Sequence, residues 1–149
     1  MGMEIVPMTA AHTARLAVLE RLCFSEPWSE KALLEETENP TACFLTAVEN
    51  GEVLGYAGMH TVLGESYVDN IAVFPEHRGR GVGRALTQAL IDRAKAENGA
   101  FITLEVRASN APAIALYTAL GFQKKAGVRR NFYTAPREDA WIFTLSFVS

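Results

Sequence analysis

The stretch that decides the fold is His77-Arg78-Gly79-Arg80-Gly81-Val82-Gly83-Arg84-Ala85-Leu86. It follows an extended apolar run at 70–74 and opens a segment whose apolar residues recur at helical spacing. A strand, a glycine turn and a helix start are typical of an anion site, because the first N–H groups of a helix have no partner inside it and carry partial positive charge. Glycines let the backbone approach a phosphate, and arginines add charged donors. The stretch predicts a diphosphate site, with an ordinary tight turn as the alternative.

Two common phosphate loops do not fit these residues. No Lys-Ser or Lys-Thr pair follows the glycines, as a Walker loop requires, and the third glycine of a dinucleotide fingerprint is replaced by Arg84 or Leu86. The pattern that fits is Arg-x-x-Gly-x-Gly, which resembles the pyrophosphate loop of the GNAT family of N-acetyltransferases. The resemblance implies acetyl-coenzyme A as cosubstrate and no metal. It implies that the cosubstrate contacts Arg78, Gly79, Arg80, Gly81, Val82, Gly83 and Arg84.

Length and composition predict one domain over residues 1–149. The net charge of −3 argues against nucleic acid as a partner, since duplex binders present a basic face. Two cysteines, no signal pattern and no long apolar run predict a cytoplasmic protein with no membrane partner. The three histidines are scattered and show no metal-ligand spacing. We expect a monomer or a weak homodimer.

Periodicity and turn residues predict an α/β chain in the order βααβββαβαββ. Strands are predicted at 4–8, 42–48, 53–60, 67–73, 101–106, 122–128 and 140–147, and helices at 10–22, 29–37, 81–98 and 110–120. Asn50-Gly51 marks a hairpin, while Thr9, Ser29 and Asn110 are candidate helix caps. The order predicts a mixed sheet of six to seven strands with about four helices on both faces.

This element order is also that of the GNAT fold. The resemblance implies a sheet that splays into a V between the strand ending at Val73 and strand 101–106. It also implies a β-bulge in strand 67–73, which leaves backbone groups of Ile71, Ala72 and Val73 free for the pantetheine arm and the acetyl oxygen.

Four further segments resemble one branch of the family, the ribosomal-protein-alanine N-acetyltransferases. They are Pro27–Glu30, Leu104–Asn110, Ala115–Tyr117 with Gly121-Phe122, and Arg129–Tyr133 with Arg137–Ala140. Phe132 departs from the branch pattern, in which tyrosine is usual at that place. Members of the branch acetylate the N-terminal alanine of small-subunit ribosomal protein number eighteen. The resemblance implies direct acetyl transfer to a protein N-terminal amine, with a basic ribosomal-protein peptide as partner.

Glu105 and Tyr117 are the candidate catalytic residues. Alternation along strand 101–107 puts Glu105 on the face opposite Ile102 and Leu104, near the strand's carboxyl end. An α-amine of pKa about 7.7–8.0 needs only a mild base to become neutral. The resemblance assigns that role to Glu105, the acid role to the Tyr117 phenol, and a pantetheine contact to Asn110. The alternatives are a solvated Glu105 paired with Arg107, a Tyr117 packed in the core, and an Asn110 that only caps a helix.

Substrate selection is assigned to Trp28, Arg130, Tyr133 and Glu138, since carboxylates there would suit a basic peptide. A tryptophan packed under its loop and a plain hairpin loop at 129–139 are the simpler interpretations. Two other functions stay open on this sequence, a small-molecule amine acetyltransferase and a non-catalytic acetyl-coenzyme A sensor.

Overall fold

The computed structural model describes residues 2–134 and 137–148, apart from the side chains of 126–131, 134 and 137. This part of the chain follows the predicted order βααβββαβαββ. The strands are β1 (Glu4–Pro7), β2 (Ala42–Glu49), β3 (Glu52–Val62), β4 (Glu65–Val73), β5 (Phe101–Arg107), β6 (Gln123–Thr134) and β7 (Arg137–Ser146). The helices are α1 (Ala10–Cys23), α2 (Glu30–Glu36), α3 (Val82–Ala96) and α4 (Ala111–Ala119), with a short 3-10 turn at Pro75–His77.

The strands form one mixed sheet in the order β1-β2-β3-β4-β5-β7-β6. β4 and β5 run parallel, and the other neighbouring pairs run antiparallel. β7 lies between β5 and β6, so β6 is an edge strand. The predicted mixed α/β sheet is confirmed.

Apolar layers cover both faces of the sheet. One layer joins the sheet to α3 and α4, and it includes Leu86, Leu90, Ile102 and Tyr117. The other joins the sheet to α1 and α2, and it includes Leu16, Leu33 and Tyr56. Along β2 successive side chains alternate between the layers, with Cys43 in the first and Phe44 in the second.

Local turn and cap chemistry follows the sequence closely. The side chains of Thr9, Ser29 and Asn110 each accept a backbone N–H of the helix that follows. Asn50 and Gly51 have φ of 51° and 79°, which are the left-handed values of a two-residue hairpin turn. Within the described residues, no helix is both long and apolar enough to cross a bilayer.

The last two strands differ from the prediction. The sequence predicts that 129–139 separates them, whereas β6 runs on to Thr134 and β7 begins at Arg137. An edge strand with a solvated face can carry charged residues, so its apolar pattern is weak. The plain-loop interpretation of 129–139 is therefore wrong for most of the segment.

β4 and β5 separate as the V-shaped opening requires. They pair only at Glu65 with Phe101, Ser66 with Ile102, and Tyr67 with Thr103. Beyond these pairs the register stops, and the carboxyl-terminal halves of the two strands diverge. The sheet is open at the end where α3 begins.

Candidate active site

A cavity of about 550 Å³ occupies the gap between β4 and β5. Its wall comes from both strands, from α4, from the segment between α1 and α2, and from β6. Among the residues predicted from sequence, the cavity brings together Trp28, Ile71, Glu105, Asn110, Tyr117 and Tyr133. The two predicted catalytic residues thus line the same space, although they lie on different elements.

The glycine loop leads into the first turn of α3. Gly79 and Gly81 have φ of 79° and 81°, a conformation that favours glycine. No side chain caps α3, and its first intrahelical bond runs from the Ala85 N–H to the Gly81 carbonyl at 3.0 Å. The amides of residues 82–84 therefore have no acceptor inside the helix. The other three α-helices each have a side-chain cap, so this end suits an anion.

Arg78 and Arg80 of the loop are held by neighbouring groups. Arg78 Nε donates to the Val73 carbonyl at 3.1 Å, which ties the loop to the end of β4. Arg80 Nη2 donates to a Glu49 carboxylate oxygen at 2.7 Å, and this hydrogen bond lowers the pKa of Glu49. Arg84 is exposed on the first turn of α3. These contacts fix positive charge beside the uncapped helix end.

β4 contains the bulge that the resemblance implies. Gly58 lies opposite Asn70 and Met59 lies opposite Val68, so Asp69 is an extra residue without a partner in β3. Because β5 has diverged at this level, the edge of β4 from Val68 to Ile71 borders the cavity rather than another strand, whereas Ala72 and Val73 lie outside the described cavity wall. This backbone can pair with an extended ligand, except at the Val73 carbonyl, which Arg78 already engages.

Glu105 lies on the cavity side of β5. Ile102, Leu104 and Val106 pack in the layer under α3, so Glu105 faces the opposite side of the sheet, the side covered by α1. Burial raises the pKa of the Tyr133 phenol, and the negative charge of Glu105 adds to that effect. The position gives the carboxylate access to an amine in the cavity.

Arg107 contacts residues of the last two strands. Its guanidinium lies 4.2 Å from the centre of the Tyr133 ring, and its Nη1 is 3.4 Å from a carboxylate oxygen of Glu138. Glu138 also accepts the Ser109 N–H at 2.6 Å. These contacts hold the end of β5 against the last two strands.

Tyr117 reaches the cavity from α4 and is also part of the core. Its ring centre lies 5.8 Å from that of Phe122, and burial raises its pKa to about 12. The phenol therefore stays protonated across the working pH range, as a proton donor must. Asn110 caps α4 through its side-chain oxygen and also lines the cavity. For both residues the structural and the functional interpretations are compatible.

The predicted substrate residues divide into three groups. Trp28 packs on Phe44, with ring centres 5.6 Å apart, and lines the cavity together with Tyr133. Glu138 does not line the described cavity wall, but its carboxylate contacts Arg107, which does. The Arg130 side chain lies outside the described residues.

Comparison with known proteins agrees with this geometry. The acetyltransferase (GNAT) family profile matches residues 13–122. The [ribosomal protein bS18]-alanine N-acetyltransferase of Escherichia coli K12 is 43% identical over 129 residues, covering 85% of this chain and 86% of the relative. The chain belongs to the GNAT family of acetyltransferases.

Solved structures of acetyltransferases share the fold of this chain. The crystal structure of the ribosomal-protein-S18-alanine N-acetyltransferase of E. coli superposes with a TM-score of 0.88 at 37% identity, covering 99% of this chain and 96% of that one. An N-acetyltransferase from Thermoplasma acidophilum, solved in complex with coenzyme A, shares the fold with a TM-score of 0.82 at 17% identity, covering 99% and 100%. The sequence-based assignment of fold and family is confirmed, and the protein is an N-acetyltransferase.

Sequence reasoning missed a polar cluster beside this GNAT site. Glu20 of α1 is fully buried, and its carboxylate accepts hydrogen bonds from the Tyr56 hydroxyl at 2.6 Å, the Trp28 N–H at 2.8 Å and the Asn70 side chain at 3.1 Å. Its partners are up to 50 residues distant in sequence, so no local pattern marks it. An acidic residue next to the buried Leu19 is the only available signal.

One group of possible metal ligands lies away from the cavity. Glu52, Glu76 and His77 bring one ligand atom each within 4.8 Å of one another, on an exposed surface. His77 Nε2 and a Glu52 oxygen are 2.9 Å apart, and His77 Nδ1 lies 3.0 Å from Arg80 Nη1, so both ring nitrogens already have partners. The group contributes nothing to the cavity wall.

Proposed function

We propose that this GNAT enzyme transfers the acetyl group of acetyl-coenzyme A directly to the N-terminal α-amine of a protein, with the N-terminal alanine of ribosomal protein bS18 as the first substrate to test. The observation that carries the proposal is the common cavity of Glu105 and Tyr117, in the gap between β4 and β5. The name of the E. coli relative supports the substrate. A ribosomal-protein substrate would place the enzyme in the cytoplasm.

The diphosphate of the donor fits the uncapped start of α3. Its backbone amides and the positive charge of Arg80 and Arg84 favour a diphosphate, and the left-handed Gly81 brings the backbone within reach. A Cβ at Gly79 or Gly81 would meet no atom within 4 Å, so this turn is open to a ligand. The pantetheine arm would then lie along the free edge of β4, with Ile71 and Ala72 as backbone partners and Asn110 across the gap.

The acceptor amine enters on the α1 side of the sheet, where Glu105 faces. An amine attacks only when it is neutral, and a carboxylate can take up its proton directly or through one water. The amine nitrogen then forms the amide bond with the acetyl carbon. A backbone N–H of β4 at the bulge would stabilise the oxyanion of the tetrahedral intermediate.

Collapse of the intermediate breaks the carbon–sulfur bond, and the thiolate of coenzyme A takes a proton from a nearby acid. Tyr117 lines the cavity from α4, on the face opposite Glu105, and burial keeps its phenol protonated. Acid and base thus approach the reacting carbon from two sides of the opened sheet. The amine attacks the thioester directly, without an acyl-enzyme. Burial raises the pKa of Cys23, a thiol of the cavity wall, which disfavours the nucleophilic thiolate form.

The peptide side of the cavity carries carboxylates and aromatic rings. Glu26, Asp69 and Glu105 contribute negative charge, which favours a basic peptide. Trp28 and Tyr133 provide rings for its first side chains, and Glu138 acts through Arg107. A monomer or weak homodimer remains our prediction for the oligomeric state.

The test is thiol release from acetyl-coenzyme A with an alanine-starting, arginine-rich peptide, the same peptide blocked at its α-amine, and a free small amine. We expect turnover only with the free α-amine. Glu105→Gln should lower kcat at least about 100-fold, the usual contribution of a general base. Glu65→Gln, an exposed glutamate at the start of β4, is the matched control and should behave as wild type.

Two results would contradict the proposal. Turnover of small amines but of no peptide would make the protein a small-molecule acetyltransferase. Tight binding of acetyl-coenzyme A without turnover of any amine would make it a sensor.

A further inference from the structure

The buried carboxylate of Glu20 fixes which end of the Asn70 side chain faces the cavity. Asn70 Nδ2 lies 3.1 and 3.3 Å from the two Glu20 oxygens. A carboxylate only accepts hydrogen bonds, so the amino group of Asn70 must point at Glu20. The Asn70 side-chain oxygen then points away from Glu20, and it accepts no hydrogen bond from any described residue.

Asn70 and Glu105 lie on the same side of the sheet. Asn70 is opposite Gly58 in β3, two residues before Ala72, which packs in the layer under α1. Glu105 faces that side from β5. The two residues border the cavity from the two strands that diverge around it.

A neutral α-amine has two N–H donors and one lone pair. One donor serves the Glu105 carboxylate or its water, so the second needs another acceptor inside the cavity. If this second acceptor lies on β4, across the cavity from Glu105 on β5, the two N–H groups point to the two strands. The nitrogen lone pair is then free to attack the thioester carbon. Asn70 lines the cavity from that strand, and its side-chain oxygen is the end of the amide turned away from Glu20.

We propose that Asn70 binds the acceptor α-amine through its side-chain oxygen, and that Glu20 is the positioning residue that orients it. This inference rests on the proposed amine acetylation. Glu20 also accepts a hydrogen bond from the Trp28 N–H at 2.8 Å. One carboxylate therefore orients both Asn70 and the loop that carries Trp28. The Tyr56 hydroxyl also donates a hydrogen bond to Glu20, which helps to fix the position of the carboxylate.

The first experiment measures steady-state kinetics of wild type and Asn70→Ala with the alanine-starting peptide. We expect kcat/KM for the peptide to fall about 10-fold, as for one lost hydrogen bond, while KM for acetyl-coenzyme A changes less than about twofold. Asn39→Ala is the matched control. Asn39 also donates its amide to a glutamate, Glu36, at 3.1 Å, but it lies outside the cavity wall.

A second measurement does not depend on the stability of the variant. A peptide that starts with N-methylalanine has one amine N–H fewer. Wild type should prefer the primary amine, and Asn70→Ala should lose most of that preference. Equal preference in both proteins would overturn the role of Asn70, even if Asn70→Ala is less active for structural reasons.

The positioning role of Glu20 is tested by a double-mutant cycle. Glu20→Gln offers one acceptor oxygen instead of two and frees Asn70 to rotate. If Glu20 acts through Asn70, the peptide preference of Glu20→Gln with Asn70→Ala should match that of Asn70→Ala alone. Additive effects would overturn the positioning role. Wild-type failure to acetylate the peptide would instead overturn the proposed function, and the inference with it.

Discussion

The Tyr56 hydroxyl donates a hydrogen bond of 2.6 Å to Glu20, and both side chains are fully buried between α1 and the sheet. Burial raises the pKa of the Glu20 carboxyl, while the hydrogen bonds from Trp28, Tyr56 and Asn70 oppose that effect. The same burial raises the pKa of Tyr56, so the phenol remains a donor. The pair is therefore a polar link inside an apolar layer, and its loss has a stability cost.

Tyr56→Phe should lower the free energy of unfolding by about 2 kcal/mol, because a buried carboxylate loses a donor that nothing replaces. Urea denaturation measures the change. Tyr67→Phe is the control, since Tyr67 is half exposed and its hydroxyl donates to Glu65 at a long 3.3 Å. The expected change for the control is within about 0.5 kcal/mol. If both variants lose the same free energy of unfolding, the hydrogen bond from Tyr56 to Glu20 does not contribute to stability.

Tyr117→Phe should separate catalysis from packing. The Tyr117 hydroxyl has no hydrogen-bond partner among the described residues, and phenylalanine keeps the ring against Phe122. We expect an unchanged Tm and a kcat that falls about 100-fold, since the departing thiolate loses its proton donor. Circular dichroism melting and thiol release measure the two quantities. A kcat within twofold of wild type would leave Tyr117 as a core residue only.

Gly83→Ala should stabilise the fold and weaken the donor site. Gly83 lies in the first turn of α3, and an added Cβ meets Leu116 and Val73 at ordinary contact distances of 3.8 and 3.9 Å. Alanine in a helix is favoured over glycine by about 0.5–1 kcal/mol. The same methyl would occupy the surface where the diphosphate approaches, so KM for acetyl-coenzyme A should rise several-fold.

Gln88→Ala, an exposed position of α3 beyond the glycine loop, is the control; it raises helix propensity and removes a side-chain hydrogen bond to Asp92 of 2.9 Å. It should leave KM for acetyl-coenzyme A unchanged. If Gly83→Ala also leaves it unchanged, the start of α3 does not hold the diphosphate.

The framework of this fold could be predicted because its signals are local. Asn50-Gly51 specifies its turn through φ, and Thr9, Ser29 and Asn110 specify helix starts through their own side-chain oxygens. The sequence predicts strands at 53–60 and 67–73, but not the tight turn at Leu63 and Gly64 that joins β3 to β4. Leu63 occupies a left-handed position at φ 54°, which apolar residues rarely adopt, and no composition rule marks it.

The site was only partly predictable because much of it depends on pairing. Alternation along one strand places Glu105, but the bulge at Asp69 exists only in the register of β4 against β3. The acceptor role of Asn70 depends on Glu20, which lies 50 residues earlier in the chain. The polar edge strand β6 lacks an apolar pattern, so its length is set by β7 rather than by its own sequence.

His60 links α2 to the bulge of β4 and makes stability depend on pH. Its Nε2 lies 2.9 Å from a Glu36 oxygen, and its Nδ1 contacts the Asp69 carboxylate. Burial alone would lower the pKa of His60, but the hydrogen bonds and charges of Glu36 and Asp69 raise it overall. The folded protein therefore binds the proton more tightly than the unfolded chain does.

The sign of the effect follows from that raised pKa. The stabilisation is complete below the unfolded pKa of about 6.5 and is lost as the pH rises through the folded pKa. His60→Gln should lower the free energy of unfolding by about 1 kcal/mol at pH 6, and by less at pH 9. Urea denaturation at both pH values measures the difference. Glu36→Gln removes one of the two carboxylates and should retain part of the pH dependence. A His60→Gln effect that is equal at pH 6 and pH 9 would show that the imidazole acts by packing on Phe44 rather than by its charge.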